Sequence, residues 1–210
     1  MNSWNGRVVP VSTATSTAGK PIVLPSYLVG VASGLAMAPD GRTVYASSGD
    51  TLTPISTATD KAGRPVIFAE LVGGIVISKD GRTGYVSNLG SFTGPGKLFP
   101  VNLATGKILA PINLPGVAGW MLLTPDGKKL YVLQQLAHTV TAIRAATRTV
   151  VAEIKVGTSM AQGLAVTPDG RTVYVLNGAA SLTPIRTATN RAGAPIPLTG
   201  LPTGVAFFRR

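Results

Sequence analysis

Carboxylates are the first residues to consider for catalysis, and half of the eight in this chain occupy one repeated position. These four each precede a glycine in a PDG or KDG triplet: Asp40, Asp80, Asp126 and Asp169. Aspartate-glycine pairs between apolar runs are typical of tight hairpins, so we interpret the four as turn formers. The other four are scattered over the repeat: Asp50, Asp60, Glu70 and Glu153. Acid–base catalysis needs carboxylates placed together, so no catalytic residue is assigned.

The chain is also poor in other reactive side chains. His138 is the only histidine, and there is no cysteine. Cysteine-free sequences have no disulfide, thiolate metal site, cysteine nucleophile or covalent haem attachment. A metal site normally needs several ligands, and no nucleophile or acid partner is marked near His138. We therefore expect no metal and no cofactor.

Basic residues follow all four aspartate-glycine turns: Arg42, Arg82, Lys128 with Lys129, and Arg171. The whole chain has 19 basic and eight acidic residues and a formal net charge of +11. Such a balance favours polyanionic partners or anionic surfaces, but like charge also simply keeps a protein soluble. Both interpretations stay open at this point.

The elements that must position these residues are sequence repeats. The segment PISTATDKAGRPV at 54–66 has near-copies that begin at residues 10 and 184. Degenerate copies begin at 100 and 142, so the steps are 44, 46, 42 and 42 residues. The aspartate-glycine turns recur at similar intervals. The sequence therefore predicts one structural unit copied along the chain.

Each repeat contains four short strand patterns. An apolar run such as GLAVT precedes the aspartate-glycine turn, and an alternating run such as TVYVL follows it. A third pattern, LTPIST, and a fourth, PVIFAELV or APINL, complete the repeat. Four strands every 42 to 46 residues indicate a β-propeller blade, whose usual period is about 40 to 50 residues. We predict an all-β fold, a β-propeller of four-stranded antiparallel blades.

The repeats resemble those of the YVTN family of β-propellers. The resemblance rests on TPDGRTVYVLN, on SKDGRTGYVSN and on the threonine-rich strand that follows, and it covers essentially the whole chain. It departs from the family at Tyr45, followed by ASS, and at Tyr131, followed by VLQ. The resemblance implies the fold and a role often found outside the cell or at its surface. It implies little about chemistry, because propellers support many functions.

The two ends of the chain together supply nearly one further blade. The C-terminal TGVAFFRR matches a first strand, and the N-terminus starts at the end of a second strand. About five blades are expected, four complete and one split between the termini, or else an arc of a longer propeller. The predicted units of this single domain, residues 1–210, are 1–32 with 203–210, 33–72, 73–117, 118–161 and 162–202.

In a propeller blade the turns joining strands one to two and three to four lie on one face. That face is predicted to carry 13 of the 19 basic residues and to be electropositive. Its candidate polyanion-binding residues are Arg42, Arg82, Lys128, Lys129, Arg171, Lys61, Arg64 and Arg191. The remaining five are Lys20, Lys107, Arg148, Arg209 and Arg210. The alternative is solvated turn chemistry copied with the repeat.

The opposite face is expected to hold the loops that bind partners in a rigid scaffold. Its candidate residues, at the channel mouth or in loops, are Trp120, Phe92, Asn88 and His138. Trp120 could be a stacking platform for a sugar or base, or a core filler. We expect His138 to be an exposed loop residue.

We predict a non-enzymatic binding or scaffold module that takes a protein or an anionic polymer or surface. The alternatives are the propeller domain of an enzyme, lactonase-like or dehydrogenase-associated, and a single-stranded nucleic-acid binder. The last requires aromatic residues beside the basic face, and none is apparent in those turns. We expect a monomer without a transmembrane segment. The N-terminus shows no signal peptide, so the chain as written would be cytoplasmic, whereas the family resemblance implies export.

Overall fold

The structure, a computed structural model, describes residues 6–25, 32–89, 95–134, 136–157, 161–178, 180–200 and 203–206. Every regular element in these ranges is a β-strand, which confirms the predicted all-β class. The described residues therefore include no helix that is long and apolar enough to cross a membrane. The chain forms two compact units. Unit 1 is Met1–Gly90 with Leu98–Pro111, and unit 2 is Ser91–Lys97 with Ile112–Arg210.

Unit 1 begins with a hairpin of four very short strands. They are β1 (Arg7–Val8), β2 (Val11–Ser12), β3 (Thr17–Ala18) and β4 (Ile22–Val23). β1 pairs with β4, and β2 pairs with β3. Each arm is interrupted beside a proline, Pro10 or Pro21, which has no N–H to donate to the ladder. These arms correspond to the third and fourth strands of the repeat.

Two sheets of antiparallel neighbours complete unit 1. Sheet A contains β5 (Ala32–Met37), β6 (Thr43–Ser48), β7 (Thr51–Ser56) and β8 (Val66–Ile67). Sheet B contains β9 (Val72–Ile77), β10 (Thr83–Asn88), β11 (Gly96–Asn102) and β12 (Lys107–Ile108). β11 begins two residues before unit 1 resumes at Leu98.

Unit 2 repeats the same order. After β13 (Ile112–Leu114), sheet C contains β14 (Met121–Leu123), β15 (Lys129–Gln134), β16 (Thr139–Arg144) and β17 (Thr149–Lys155). Sheet D contains β18 (Ala161–Val166), β19 (Thr172–Asn177), β20 (Ser181–Arg186), β21 (Arg191–Ala192) and β22 (Ile196–Pro197). Both β21 and β22 pair with β20, so together they fill the fourth position of that sheet.

The Asp-Gly turns, residues 38–43, 78–83, 124–129 and 167–172, join the first two strands of every sheet as predicted. The glycine of each turn has a φ of 70 to 72°, a conformation that side chains disfavour. In the first turn, Asp40 Oδ1 accepts a 3.0 Å hydrogen bond from Arg42 N, and Gly41 N donates to Ala38 O at 2.9 Å. The residues of each turn therefore supply the hydrogen bonds that close its hairpin.

The fourth strands are shorter than the sequence pattern predicts. β8 and β22 have two residues each and β13 has three, whereas β17 has seven. Proline removes a ladder donor, and Pro65 stands directly before β8, whereas the run that forms β17 contains no proline. Residues 203–206, the described part of the predicted C-terminal first strand, lie outside any strand.

Each unit has its own apolar core. In unit 1 it includes Leu52, Val72, Val86 and the ring pair Phe68–Phe99, whose centroids are 5.5 Å apart. In unit 2 the core contains, among others, Tyr131, Leu133, Val140, Val173 and Ile185, all fully buried. The second strand of each of sheets A to D is mostly buried along its length. These rigid sheets hold the turns in place.

Candidate functional site

Several basic residues of unit 1 lie at one end of its sheets. The two Asp-Gly turns are neighbours, since a Cβ on Gly81 would lie 3.5 Å from Pro39 Cδ. The turn after β7 is tied to the first of them by Thr57, whose N–H donates to Arg42 O at 3.0 Å. The unit 1 turn surface comprises three exposed cations: Arg42, Lys61 and Arg82. Arg64 is also exposed, but it follows Gly63, whose N–H donates to Pro54 O within β7, so Arg64 lies farther along the sheet from these turns.

Unit 2 has the same construction. A Cβ on Gly170 would stand 3.2 Å from Pro125 Cδ, so its two Asp-Gly turns are also adjacent. Thr187 ties the turn after β20 to them, through its N–H to Arg171 O at 2.9 Å and its hydroxyl to Gly170 O at 2.8 Å. The unit 2 turn surface comprises Lys128, Lys129, Arg171 and Arg191.

Lys129 differs from the other members of that surface. Its side chain is half-buried, and Nζ donates hydrogen bonds to Thr187 O and to Asn190 Oδ1, the latter at 3.1 Å. Asn190 Oδ1 also accepts a 2.8 Å hydrogen bond from the hydroxyl of Tyr131. Lys129 therefore helps to join sheets C and D, whereas Lys128, Arg171 and Arg191 are exposed to solvent.

Among the four turn aspartates, hydrogen bonds favour the ionised form of three. A hydroxyl donates to Oδ1 of three of them at 2.6 Å: Ser78 to Asp80, Thr124 to Asp126 and Thr167 to Asp169. These hydrogen bonds, with those from the backbone, lower the pKa of all three carboxyls.

The ionised carboxylates only partly offset the cations beside them. Lys128 Nζ lies 3.8 Å from Asp126 Oδ2, and Arg171 Nε lies 3.9 Å from Asp169 Oδ2. All four side chains are more than half exposed, and ion pairs of this kind contribute little. The cations therefore remain available to a ligand.

The candidate loop residues are in several environments. Trp120 is 56% exposed and precedes β14, whereas the Asp-Gly turn with Lys128 follows that strand, so the two lie at opposite ends of it. Leu136, 57% exposed, and His138 belong to the turn before β16. His138 has a φ of 51°, and its Nδ1 is buried without a hydrogen-bond partner among the described residues.

Asn88, a further candidate, does not contribute to an exposed site in this structure. Asn88 ends β10, is only 2% exposed, and donates from Nδ2 to Glu70 Oε2 at 2.9 Å. Phe92 lies outside the described residues, as do Arg209 and Arg210. Within the described ranges, no three His, Asp or Glu residues lie close enough together to hold a metal ion.

Comparison with known proteins shows a shared fold rather than a family. No protein-family model matches this chain, and no curated protein sequence matches it. Among solved structures, it is similar to a functionally unknown protein from Desulfotomaculum acetoxidans, with a TM-score of 0.81 and 19% identity over 96% of this chain. It is also similar to hydrazine synthase from Kuenenia stuttgartiensis, with a TM-score of 0.70 and 21% identity over 78% of this chain.

The chain spans 66% of the first of these proteins and 48% of the second. At such low identity the likeness concerns the arrangement of antiparallel strands alone.

The sequence pattern missed the contact between Tyr131, Lys129 and Asn190. A signal was present in the sequence, because a tyrosine occupies the third position of the second strand in each of sheets A to D: Tyr45, Tyr85, Tyr131 and Tyr174. The residue at the position of Asn190 varies between repeats, and only the folded structure shows that it meets this tyrosine.

Proposed function

We propose that this chain is a non-enzymatic binding module whose Asp-Gly turns bind an anionic polymer or surface. The observation that supports the proposal most is the pairing of neighbouring turns within each unit. One exposed cation follows the Asp-Gly pair in each sheet: Arg42 and Arg82 in unit 1, and Lys128 and Arg171 in unit 2. A ligand with regularly spaced anionic groups would meet such cations repeatedly.

The proposed architecture is a YVTN-type β-propeller in which sheets A to D are blades. Its support is the repeated strand order and the 42- to 46-residue period. The N-terminal hairpin would supply the outer strands of a further blade, either in a ring of about five blades or in an arc of a longer propeller.

Unit 2 carries most of the net positive charge, so it is the main candidate for binding an anionic polymer. Its sequence contains eleven of the 19 basic residues and three of the eight acidic residues, a formal net charge of +8. Electrostatic binding of this kind depends steeply on salt, because bound cations release counterions from the polymer. Salt dependence is therefore the property to measure.

The decisive experiment compares two double variants with the same change in charge. Lys128→Gln/Arg171→Gln removes two turn cations of unit 2, and Arg7→Gln/Lys155→Gln removes two exposed cations outside the Asp-Gly turns. Binding to labelled single-stranded oligonucleotide, heparin and anionic vesicles is measured by fluorescence anisotropy or co-sedimentation across a salt series. The three ligands distinguish nucleic acid, free polymer and membrane surface as the source of the anion.

On the oligonucleotide, the turn variant is expected to make the slope of log K against log salt shallower by about 1.4, or about 0.7 for each lost contact. The control variant is expected to change the slope less. Equal effects of the two variants would mean that only overall charge matters, and absence of binding to all three ligands would also contradict the proposal. The exposed end of sheet C around Trp120 would then be the next surface to test.

The alternative, an enzyme's propeller domain, has one specific observation in its favour. One of the similar solved chains belongs to hydrazine synthase, an enzyme, although at 21% identity that likeness concerns the fold alone. The described residues provide no cluster of acidic residues and histidine with which to assign a reaction. Turnover of lactone substrates that is abolished by His138→Ala would favour this alternative.

A further inference from the structure

A cavity of about 730 Å³ lies within unit 1, between sheet A and the turn that joins β11 to β12. Tyr45, Arg64 and Ile67 line it from sheet A, and Leu103 and Gly106 line it from the turn. Pockets that bind small molecules usually measure about 300 to 1,000 Å³, so this one has the size of a ligand site.

The corresponding place in unit 2 shows what this cavity lacks. Gly106 N donates to Asn102 O at 2.8 Å, and Asn190 N donates to Arg186 O at 2.8 Å, so the two residues hold the same position in their turns. Both have positive φ angles, 71° for Gly106 and 54° for Asn190. In the neighbouring sheets, Tyr45 and Tyr131 both occupy the third position of the second strand.

The side chain of Asn190 therefore fills in unit 2 a space that Gly106 leaves open in unit 1. The hydroxyl of Tyr131 is bound to Asn190, whereas that of Tyr45 has no hydrogen-bond partner among the described residues. Lys129, the second partner of Asn190, is replaced in sheet A by Thr43. Unit 1 therefore has the tyrosine hydroxyl of this arrangement, but it lacks the asparagine and lysine side chains that accompany the hydroxyl in unit 2.

The lining determines the chemistry of a ligand. Pro54, Pro65, Val66 and Ile108 add apolar wall, and no carboxylate among the described residues lines the cavity. Arg64 supplies a guanidinium that makes no ion pair with a described residue. Burial and the nearby charge of Asp40 raise the pKa of Tyr45, so its hydroxyl stays protonated at neutral pH and can donate.

We propose that the cavity between Tyr45, Arg64 and Gly106 binds a small organic anion, a carboxylate attached to an apolar body. The carboxylate would accept hydrogen bonds from Arg64 and Tyr45, an arrangement that suits guanidinium well. The apolar body would lie against Ile67, Leu103 and the proline rings. This site is separate from the Asp-Gly turns that are proposed to bind polyanions.

The test uses 2-naphthylacetate as the anionic probe and 2-naphthylacetamide as its uncharged counterpart. Affinities are measured by calorimetry, and the site is located by amide shifts in ¹H–¹⁵N spectra, which are expected to centre on Ile67, Thr105 and Gly106. The acid is expected to bind about tenfold more tightly than the amide, because only the acid pairs with Arg64.

Two substitutions in unit 1 separate the parts of the site. Gly106→Asn places in the cavity the side chain that fills it in unit 2, and is expected to abolish binding of both probes. The new Cβ would lie 3.3 Å from Val66 Cγ2, a contact that small adjustments relieve, and asparagine tolerates positive φ. Arg64→Gln is expected to weaken the acid about tenfold and leave the amide unchanged.

Asn190→Gly is the matched control, because it changes the equivalent position of unit 2 and leaves this cavity intact. At the unit 1 amides that report this cavity, it is expected to bind both probes as the parent protein does. The proposal is wrong if a folded Gly106→Asn variant, with parent-like amide dispersion, binds the acid as tightly as the parent. Equal affinity for acid and amide, or no saturable binding of the acid at millimolar concentration, would also overturn it.

Discussion

The hydroxyl of Tyr131 donates a 2.8 Å hydrogen bond to Asn190 Oδ1, across 59 residues of sequence. Tyr131 is fully buried in sheet C, and Asn190 belongs to the turn after β20 in sheet D. Lys129 Nζ donates to the same oxygen. One amide oxygen thus binds two donors from β15, and the turn of one sheet is held against the second strand of the other.

This contact predicts a difference between two conservative substitutions. Tyr131→Phe removes the hydrogen bond and is expected to lower the free energy of unfolding by about 0.5 to 1.5 kcal/mol. Tyr45→Phe should cost less, because the Tyr45 hydroxyl has no hydrogen-bond partner among the described residues. Urea unfolding of both variants checks this, and an equal loss for the two would contradict a stabilising role for the Tyr131–Asn190 bond.

Stability should also decrease at high pH. Burial, with a smaller effect of Asp126, raises the pKa of Tyr131 from 10.0 to about 12. The unfolded chain therefore loses this proton at lower pH than the folded chain does, and folding is weakened as pH rises from about 10 to about 12.

Unfolding measured between pH 9 and pH 12 should show this loss, and Tyr131→Phe should show a shallower dependence on pH in the same window. Tyr45, whose pKa is also raised, supplies part of the remaining dependence. An unchanged dependence in Tyr131→Phe would show that Tyr131 titrates normally.

A close approach of two backbone segments at Gly96 predicts a severe effect of a single methyl group. A Cβ on Gly96 would lie only 2.2 Å from Gly116 O, so Gly96→Ala must displace one of the two segments. We expect a loss of about 1 to 3 kcal/mol in the free energy of unfolding. Gly163→Ala is the control, since its Cβ would meet nothing within 4 Å. Thermal unfolding that shifts equally in both variants would contradict this interpretation.

Trp120 is expected to matter little for stability. Truncating a buried tryptophan to alanine usually costs about 3 to 5 kcal/mol, but Trp120 is 56% exposed. Trp120→Ala should therefore cost less than about 1 kcal/mol in chemical unfolding, and its fluorescence in the parent should be quenched readily by iodide. A loss as large as that of Leu52→Ala, which truncates a fully buried side chain, would make Trp120 a core residue after all.

The sequence predicts local structure better than it predicts side-chain partners. The Asp-Gly turns follow from neighbouring residues, because glycine supplies the positive φ and aspartate accepts the N–H two residues ahead. The repeat period of 42 to 46 residues predicts four strands in each repeat. Pro65 and Pro111 stand directly before β8 and β13, which are shorter than the pattern suggested, since pairing depends on N–H donors that the apolar pattern does not count.

The candidate sites depended on contacts that sequence cannot supply. Lys129 directly follows the exposed turn cation Lys128, yet it is half-buried because Thr187 and Asn190 lie beside it. Asn88 was expected in a loop but ends a buried strand next to Glu70. The cavity at Tyr45 exists because Gly106 has no side chain, and its significance appears only when the two units are compared.

The Asp-Gly turns also bear on how the protein ages. Among pairs that begin with aspartate, Asp-Gly is the most prone to form succinimide and then isoaspartate, when the glycine nitrogen attacks the side-chain carboxyl carbon. In all four turns that nitrogen donates to a carbonyl three residues earlier, at 2.7 to 2.9 Å. Each aspartate is held as well, through Oδ1 to the N–H two residues ahead at 3.0 Å. The folded chain thus protects four labile bonds that an unfolded chain would expose, and isoaspartate content becomes a record of time spent unfolded.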